Sequence, residues 1–321
     1  GTPLTIIRNP GTYLLLVGEN PDKSQTLYSY QKSYNVEPTD KCDEVQYTEN
    51  PITCVSLAKQ EKKWFCVCVH DTVELYKLNN ETGKLTKMYS FKADFDKENP
   101  KVNCAEFVYE NQYIVTGGND KIVRAWKFEI NKEDDTVTDV GQPRKFISHT
   151  TPITNLDVTF DQELLASIGS SDEKHCLIHD FQTGNLLNEL TFSEKVGEEN
   201  MPFINCKFSL HRKYLYTLVS EEGKASYVTR WDAKSGEFHN LNTIKIDNGP
   251  CKNFVLSFEG FYLAIGSKEG YIKSLNTRYM EIDRNDKHHS SDMACIDFSS
   301  DTRFILTCDK DGSYCFVPNI R

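Results

Sequence analysis

The sequence predicts an all-β protein, a seven-bladed β-propeller, and three observations carry that expectation. A short apolar strand motif recurs at near-constant spacing along all 321 residues. Each copy is followed by two more strand-like runs joined by tight polar turns. No stretch shows the 3.6-residue apolar periodicity of an amphipathic helix.

Each strand of the unit can be justified in turn. The opening strand appears as LTIIRN from Leu4, ITCVSL from Ile52, VNCAEF from Val102, ITNLDV from Ile153, INCKFS from Ile204, CKNFVL from Cys251 and MACIDF from Met293. From the second copy on, the third residues (Cys54, Cys104, Asn155, Cys206, Asn253 and Cys295) lie 50, 51, 51, 47 and 42 apart. Second strands follow as YLLLVG, WFCVCV, YIVTGG, LLASIG, YLYTLV, YLAIGS and FILTCD, and third strands as TLYSYQ, VELYKL, IVRAWKF, CLIHDF, VTRWDA, YIKSLN and SYCFVP. β-branched and aromatic residues bounded by Gly, Asn and Asp suit short pleated strands. In the third copy the turns fall at Glu110-Asn111 and, after Gly117-Gly118, at Asn119-Asp120. Fourth strands are expected at LTKMYSF from Leu85, RKFISH from Arg144, LLNELTF from Leu186 and FHNLNTI from Phe238. The last copy has none after Val317-Pro318, so its closing strand comes from elsewhere or the seventh blade has three strands. Polar connectors, Lys32 to Glu44, Asp94 to Lys101, Asn131 to Gln142 and Asp283 to Ser291, read as solvated loops. A period of 40–50 residues with four strands per unit defines a propeller blade, so residues 1–321 form one propeller.

Composition narrows the function. Hydrophobic residues make up 38% and aromatics 12%, enough for a core. A net charge of −10 disfavours nucleic-acid binding, which needs a basic face. Eleven cysteines, most of them inside strand runs, read as buried free thiols of a reducing compartment. Cys66 and Cys68 lack the second pair a zinc site requires. No apolar run reaches the ~20 residues that span a bilayer.

At the level of single residues, Trp231-Asp232 ends a third strand, His179-Asp180 is an eroded form of the same dipeptide, Trp126 holds the Trp position alone, and His149 precedes the fourth copy. On these features the chain resembles the WD-repeat propellers over its whole length. Asp120, Asp172 and Asp311 fall in turns between second and third strands, where a carboxylate accepts backbone N–H groups. Asp157 and Asp297 lie within opening strands, as satisfied buried carboxylates or as functional ones. His149, His175 and His179 lie close in sequence, but the WD position of His179 favours a structural hydrogen bond over a metal. No Walker loop, nucleophile elbow or acid–base pair is present, so covalent enzyme chemistry is not expected.

One stretch stands out, VGENPDKSQT from Val17 to Thr26, in which Gly18 ends the strand and Glu19, Asn20, Pro21, Asp22 and Lys23 read as a longer, oxygen-rich excursion where other copies turn tightly. Clustered carboxylate, amide and carbonyl oxygens suit a hard cation or a protein contact, and an ordinary polar turn is the simpler reading.

Taken together, NCAEFVYENQYIVTGGNDKIVRAWKF, ISHTTPITNLDV, YVTRWDAKSGEF and the final FVPNIR resemble the membrane-anchored exchange factors that start COPII coat assembly at the endoplasmic reticulum, the family of prolactin regulatory element-binding protein (the Sec-twelve family). That resemblance implies a seven-bladed propeller facing the cytosol, held at the endoplasmic reticulum membrane by a transmembrane segment outside this chain. It implies guanine-nucleotide exchange on the Sar-type small GTPase, while the acidic balance argues against a nucleic-acid partner. The family's first-blade loop contacts the GTPase and binds potassium. Carried over here, Asn20, Glu19 and Asp22 would contact the GTPase, and Gly18, Glu19 and Asn20 would line a potassium site. The family's glycine run is missing from this loop. The alternative is a WD-repeat interaction scaffold without exchange activity.

Overall fold

The computed structural model describes residues 4–31, 40–59, 61, 63–93, 100–108, 112–192, 200–233 and 239–319. It contains 27 strands and, among the described residues, no helix; none is therefore long and apolar enough to cross a membrane. The strands form seven antiparallel sheets, six of four strands and one of three, each an up-and-down meander in chain order. This is a seven-bladed propeller, as the repeat predicts.

The opening strands, Leu4–Arg8, Ile52–Leu57, Val102–Val108, Ile153–Val158, Phe203–Phe208, Cys251–Leu256 and Met293–Phe298, ring a central channel and pack each against the next. Second strands are covered on both faces by neighbouring blades. They therefore read as nearly continuous apolar runs, and Leu164–Gly169 is buried along its whole length. Seven apolar clusters fill the seven blade junctions. Trp64, Phe107 and Trp126 anchor the junction of blades two and three, and Met201, Phe203 and Trp231 that of four and five. The remaining junctions are filled in the same way. The seventh cluster joins Ile7, Leu14 and Leu16 of blade one to Leu306 and Cys308 of blade seven, so the ring closes by packing. Asn9 pins that seam, its amide donating to Tyr13 O (3.1 Å) and its Oδ1 accepting from Ser300 N–H (3.1 Å).

Several expectations are corrected. Two stretches read as solvated connectors contain outer strands. Lys41–Tyr47 closes blade one and Glu281–Lys287 closes blade six. Both strands face water broadly, so their side chains carry no apolar alternation to betray them. The fourth strand of blade three is only Arg144–Phe146. Blade seven holds three strands among the described residues. The turn at Glu110-Asn111, and residues 32–39 and 94–99 of two connectors, lie outside the described residues.

Candidate functional site

The first-blade loop is not longer than the corresponding turns of blades three, four, five and seven, although its sequence suggests that it is. Gly18 pairs with Thr26 and Glu19 with Gln25, so Glu19 of the expected excursion joins the ladder and 20–24 is the connector. Gly117 pairs with Val123 in blade three and Cys308 with Tyr314 in blade seven, giving connectors of equal length. Those of blades four and five are longer. The chain reverses because Lys23 takes a left-handed conformation, φ 68°, and the loop closes on itself. Asn20 N–H donates to Ser24 O (2.8 Å) and Lys23 N–H to Asn20 O (2.9 Å). Asp22 accepts from both the Ser24 backbone N–H (3.0 Å) and the Ser24 hydroxyl (2.6 Å), and those bonds hold its carboxyl below the usual range. The Asn20 amide donates to Ser24 Oγ (2.9 Å) and Thr26 Oγ1 (3.0 Å).

The result is a pre-formed turn with Pro21, Asp22 and Lys23 exposed and Glu19 and Asn20 half-exposed. Gly18, Glu19 and Asn20 come together at its base, but they do not fit a potassium ion well. N–H donors of Asn20 face inward, its own carbonyl is spent on Lys23, and Gly18 is buried within the ladder. A hard cation wants oxygens there. Among the described residues no cluster of three or more His, Cys, Asp or Glu could hold a metal.

A second constellation, not read from the sequence as a unit, lies in the channel. A cavity of about 360 Å³ is walled by the opening strands. Across it Lys59 Nζ lies 2.9 Å from Asp157 and 3.3 Å from Glu106, while Lys207 Nζ lies 3.6 Å from each. Lys59 also donates to Val158 O (2.6 Å), and Asp157 accepts the Phe208 N–H (2.7 Å). Burial alone would raise the Asp157 carboxyl, but Lys207, Lys59 and the Phe208 N–H outweigh it and hold the group below the usual range. Burial likewise opposes the charge on both lysines, yet the two acids push them upward. Two cations matched to two anions form a staple across blades two to five. Such mutual satisfaction leaves no spare charge for a ligand.

The remaining sequence candidates are structural. The Trp126 and Trp231 indoles donate to the hydroxyls of Thr116 (3.0 Å) and Thr217 (2.9 Å) on the neighbouring strand. His149 lies between Ser167 Oγ (2.8 Å) and Glu173 (3.1 Å). In blade seven His289 spans Thr307 Oγ1 (2.7 Å) and Asp309 (3.2 Å). The buried acids beside these histidines are therefore Glu173 and Asp309, whereas Asp172 and Asp311 are exposed, one and two residues away. Asp120 does hold its turn position, buried against Arg124 at 2.6 Å. The three histidines do not converge, because His175 pairs with Glu189 (2.8 Å) and His179 with Ser148 Oγ (3.0 Å). Asp297 is half-buried in the channel wall.

Comparison with protein families agrees with this geometry. The WD domain, G-beta repeat family matches residues 86–127 and 282–316. Each match runs from the outer strand of one blade through the third strand of the next, the offset by which such repeats interlock. No curated protein matches the chain.

Proposed function

We propose that this WD-repeat propeller is a protein-interaction module whose partner is a Sar-type small GTPase, and that it promotes GDP release from that GTPase to start COPII coat assembly at the endoplasmic reticulum membrane. The observation that carries the reading is the first-blade turn. It is a rigid, self-bonded element presenting Glu19, Asn20, Pro21 and Asp22 from a fully packed blade, at the position where the family resembled in sequence places its exchange loop.

The physical requirement is differential binding. An exchanger that binds the nucleotide-free GTPase more tightly than the GDP form weakens GDP by the same factor. The GTPase switch segments owe their order to nucleotide and magnesium contacts, so a turn inserted among them competes with those contacts. Rigidity matters, because strain directed into a soft loop would relax in the exchanger instead. Hydrogen bonds from Asn20 to Ser24 and Thr26, and from Ser24 to Asp22, supply that rigidity. No ion and no covalent step is needed.

The test is release of a fluorescent GDP analogue from the purified GTPase with and without the chain, in potassium and in sodium. Acceleration in both salts, lost in Asn20→Ala, supports the reading. No acceleration with a folded propeller overturns it in favour of a scaffold without exchange activity. One observation favours that second reading. Phe258, Phe261 and Tyr279 are 51%, 63% and 60% exposed, in blade-six connectors at the opposite end of the sheets, where a partner would bury them.

A further inference from the structure

The channel wall carries a thiol arrangement that the exchange reading does not use. Cys54, on the opening strand of blade two, is the register partner of Cys68 on the second strand. Directly opposed residues of an antiparallel pair share a face, and Cys54 packs against the same apolar cluster that buries Cys66 and Cys68. Cys54 is half-buried and lines the cavity, while Cys66 and Cys68 are fully buried behind it. Arg8, from blade one, donates through Nε to Val55 O (3.0 Å) and through Nη1 to Cys295 Sγ (3.0 Å), which sets its guanidinium between Cys295 and the strand that carries Cys54.

The surroundings of Cys54 pull its thiol in both directions. The Cys68 S–H favours the thiolate most, burial opposes it, Arg8 favours it and Glu106 opposes it, for a net position of about 7. Cys104, also in the cavity wall, is pushed the other way by burial and by Cys54 itself. Cys315, in the outer part of blade seven, is raised by burial. A low, cation-flanked and accessible thiol beside a second thiol is the arrangement that oxidant-reactive cysteines share.

We propose that Cys54 is a hydroperoxide-reactive thiol of the central channel and that Cys68 resolves it into a cross-strand disulfide within blade two. The Cys54 thiolate attacks the distal peroxide oxygen, breaking the O–O bond and releasing hydroxide (or alkoxide), and becomes a sulfenic acid. The sulfur of Cys68 then attacks the Cys54 sulfur, forming the S–S bond. The sulfenic oxygen leaves with the Cys68 proton and its own as water. Two thiols lose two electrons and the peroxide gains them.

The experiment treats the intact chain with a few equivalents of hydrogen peroxide and maps its peptides without reduction. The expected result is one Cys54–Cys68 linked peptide, about 2 Da lighter than the two thiols, with the other nine of the eleven cysteines still alkylatable. Cys68→Ser, nearly isosteric, gives no linkage and leaves Cys54 captured by dimedone as the sulfenic acid. Arg8→Gln slows iodoacetamide labelling of Cys54 at pH 7 by up to about tenfold, the factor for one unit of lost thiolate stabilisation. Arg8→Lys, which keeps the charge, restores most of it. Cys54 left free while Cys42 or Cys315 oxidises overturns the proposal. So does linkage of another pair such as Cys295 and Cys308, or a labelling midpoint for Cys54 at the ordinary thiol value.

Discussion

Replacing Asp157 with Ala should unfold the propeller earlier, by an amount the channel geometry sets. The side chain holds Lys59 at 2.9 Å and Lys207 at 3.6 Å and accepts the Phe208 N–H at 2.7 Å. Its removal leaves Glu106 as the one acid of that cluster facing two lysines, and orphans a buried backbone donor. Breaking one side of a buried ion pair costs about 3–5 kcal/mol. Glu106 retains part of the compensation and Lys59 keeps 23% of its side-chain surface in water, so the lower half, about 3–4 kcal/mol, is expected. With unfolding entropy of about 2.1 cal/mol/K per residue, a chain of this length loses about 1.5 °C per kcal/mol, giving a fall of about 4–6 °C. Lys59→Met combined with Asp157→Leu removes one charge of each sign and leaves Lys207 with Glu106, so the double variant should melt closer to wild type than Asp157→Ala does.

The acid side checks the sign of the effect. The Asp157 carboxyl is lower folded than unfolded, so its contribution is complete above the unfolded value near 4 and lost as pH falls through the folded one. The gap between wild type and Asp157→Ala should hold from pH 7 to 5 and narrow below about 4. Differential scanning calorimetry across that range is the assay. A shift under about 1 °C at pH 7, or a gap that widens on acidification, refutes the staple.

Three further outcomes follow from other residues. Asn20→Ala should cut stimulated GDP release at least about tenfold, the loss of roughly one hydrogen-bonded anchor, while the melting temperature stays within about 1 °C, since a loop tip carries little of the core; equal release by the two proteins removes Asn20 from the contact. His179 is pushed down to about 4, by burial first and by His149 second. Stability should therefore be full above the unfolded histidine value of about 6.5 and decline from there toward 4, and His179→Gln should flatten that slope in pH-resolved denaturation. Gly270 sits at φ +85° with an added Cβ only 2.2 Å from His289 O, so Gly270→Ala should cost about 2–4 kcal/mol in urea unfolding; a neutral result would mean the blade-six turn can move away.

How far the sequence carried depended on which surfaces each strand buries. The seven-fold repeat was legible because opening and second strands are packed by neighbours in every blade and repeat the same apolar pattern. Lys41–Tyr47 and Glu281–Lys287 are hard to read because they sit at the rim with no fully buried residue, and their side chains answer to solvent. The turn acids were misassigned within one or two residues, Asp172 for Glu173 and Asp311 for Asp309, because a tight turn can present either neighbour inward and spacing does not decide which. The first-blade stretch reads as a longer turn because Glu19 and Gln25 are polar, although the two pair with each other and extend the ladder. The channel cluster was missed for a different reason. Lys59, Glu106, Asp157 and Lys207 are about one repeat apart, and only closure of the ring brings them together. A visible signal existed in the charged residues at mid-strand positions, where Asp157 was noted without a partner.

The most direct test of the proposed function is the rate of fluorescent GDP release from a purified Sar-type GTPase in the presence of this chain. Release that rises with propeller concentration, and falls to the intrinsic rate with an Asn20→Ala protein that melts like wild type, is the expected result. An unchanged release rate over the same concentrations of folded propeller would contradict the exchange reading.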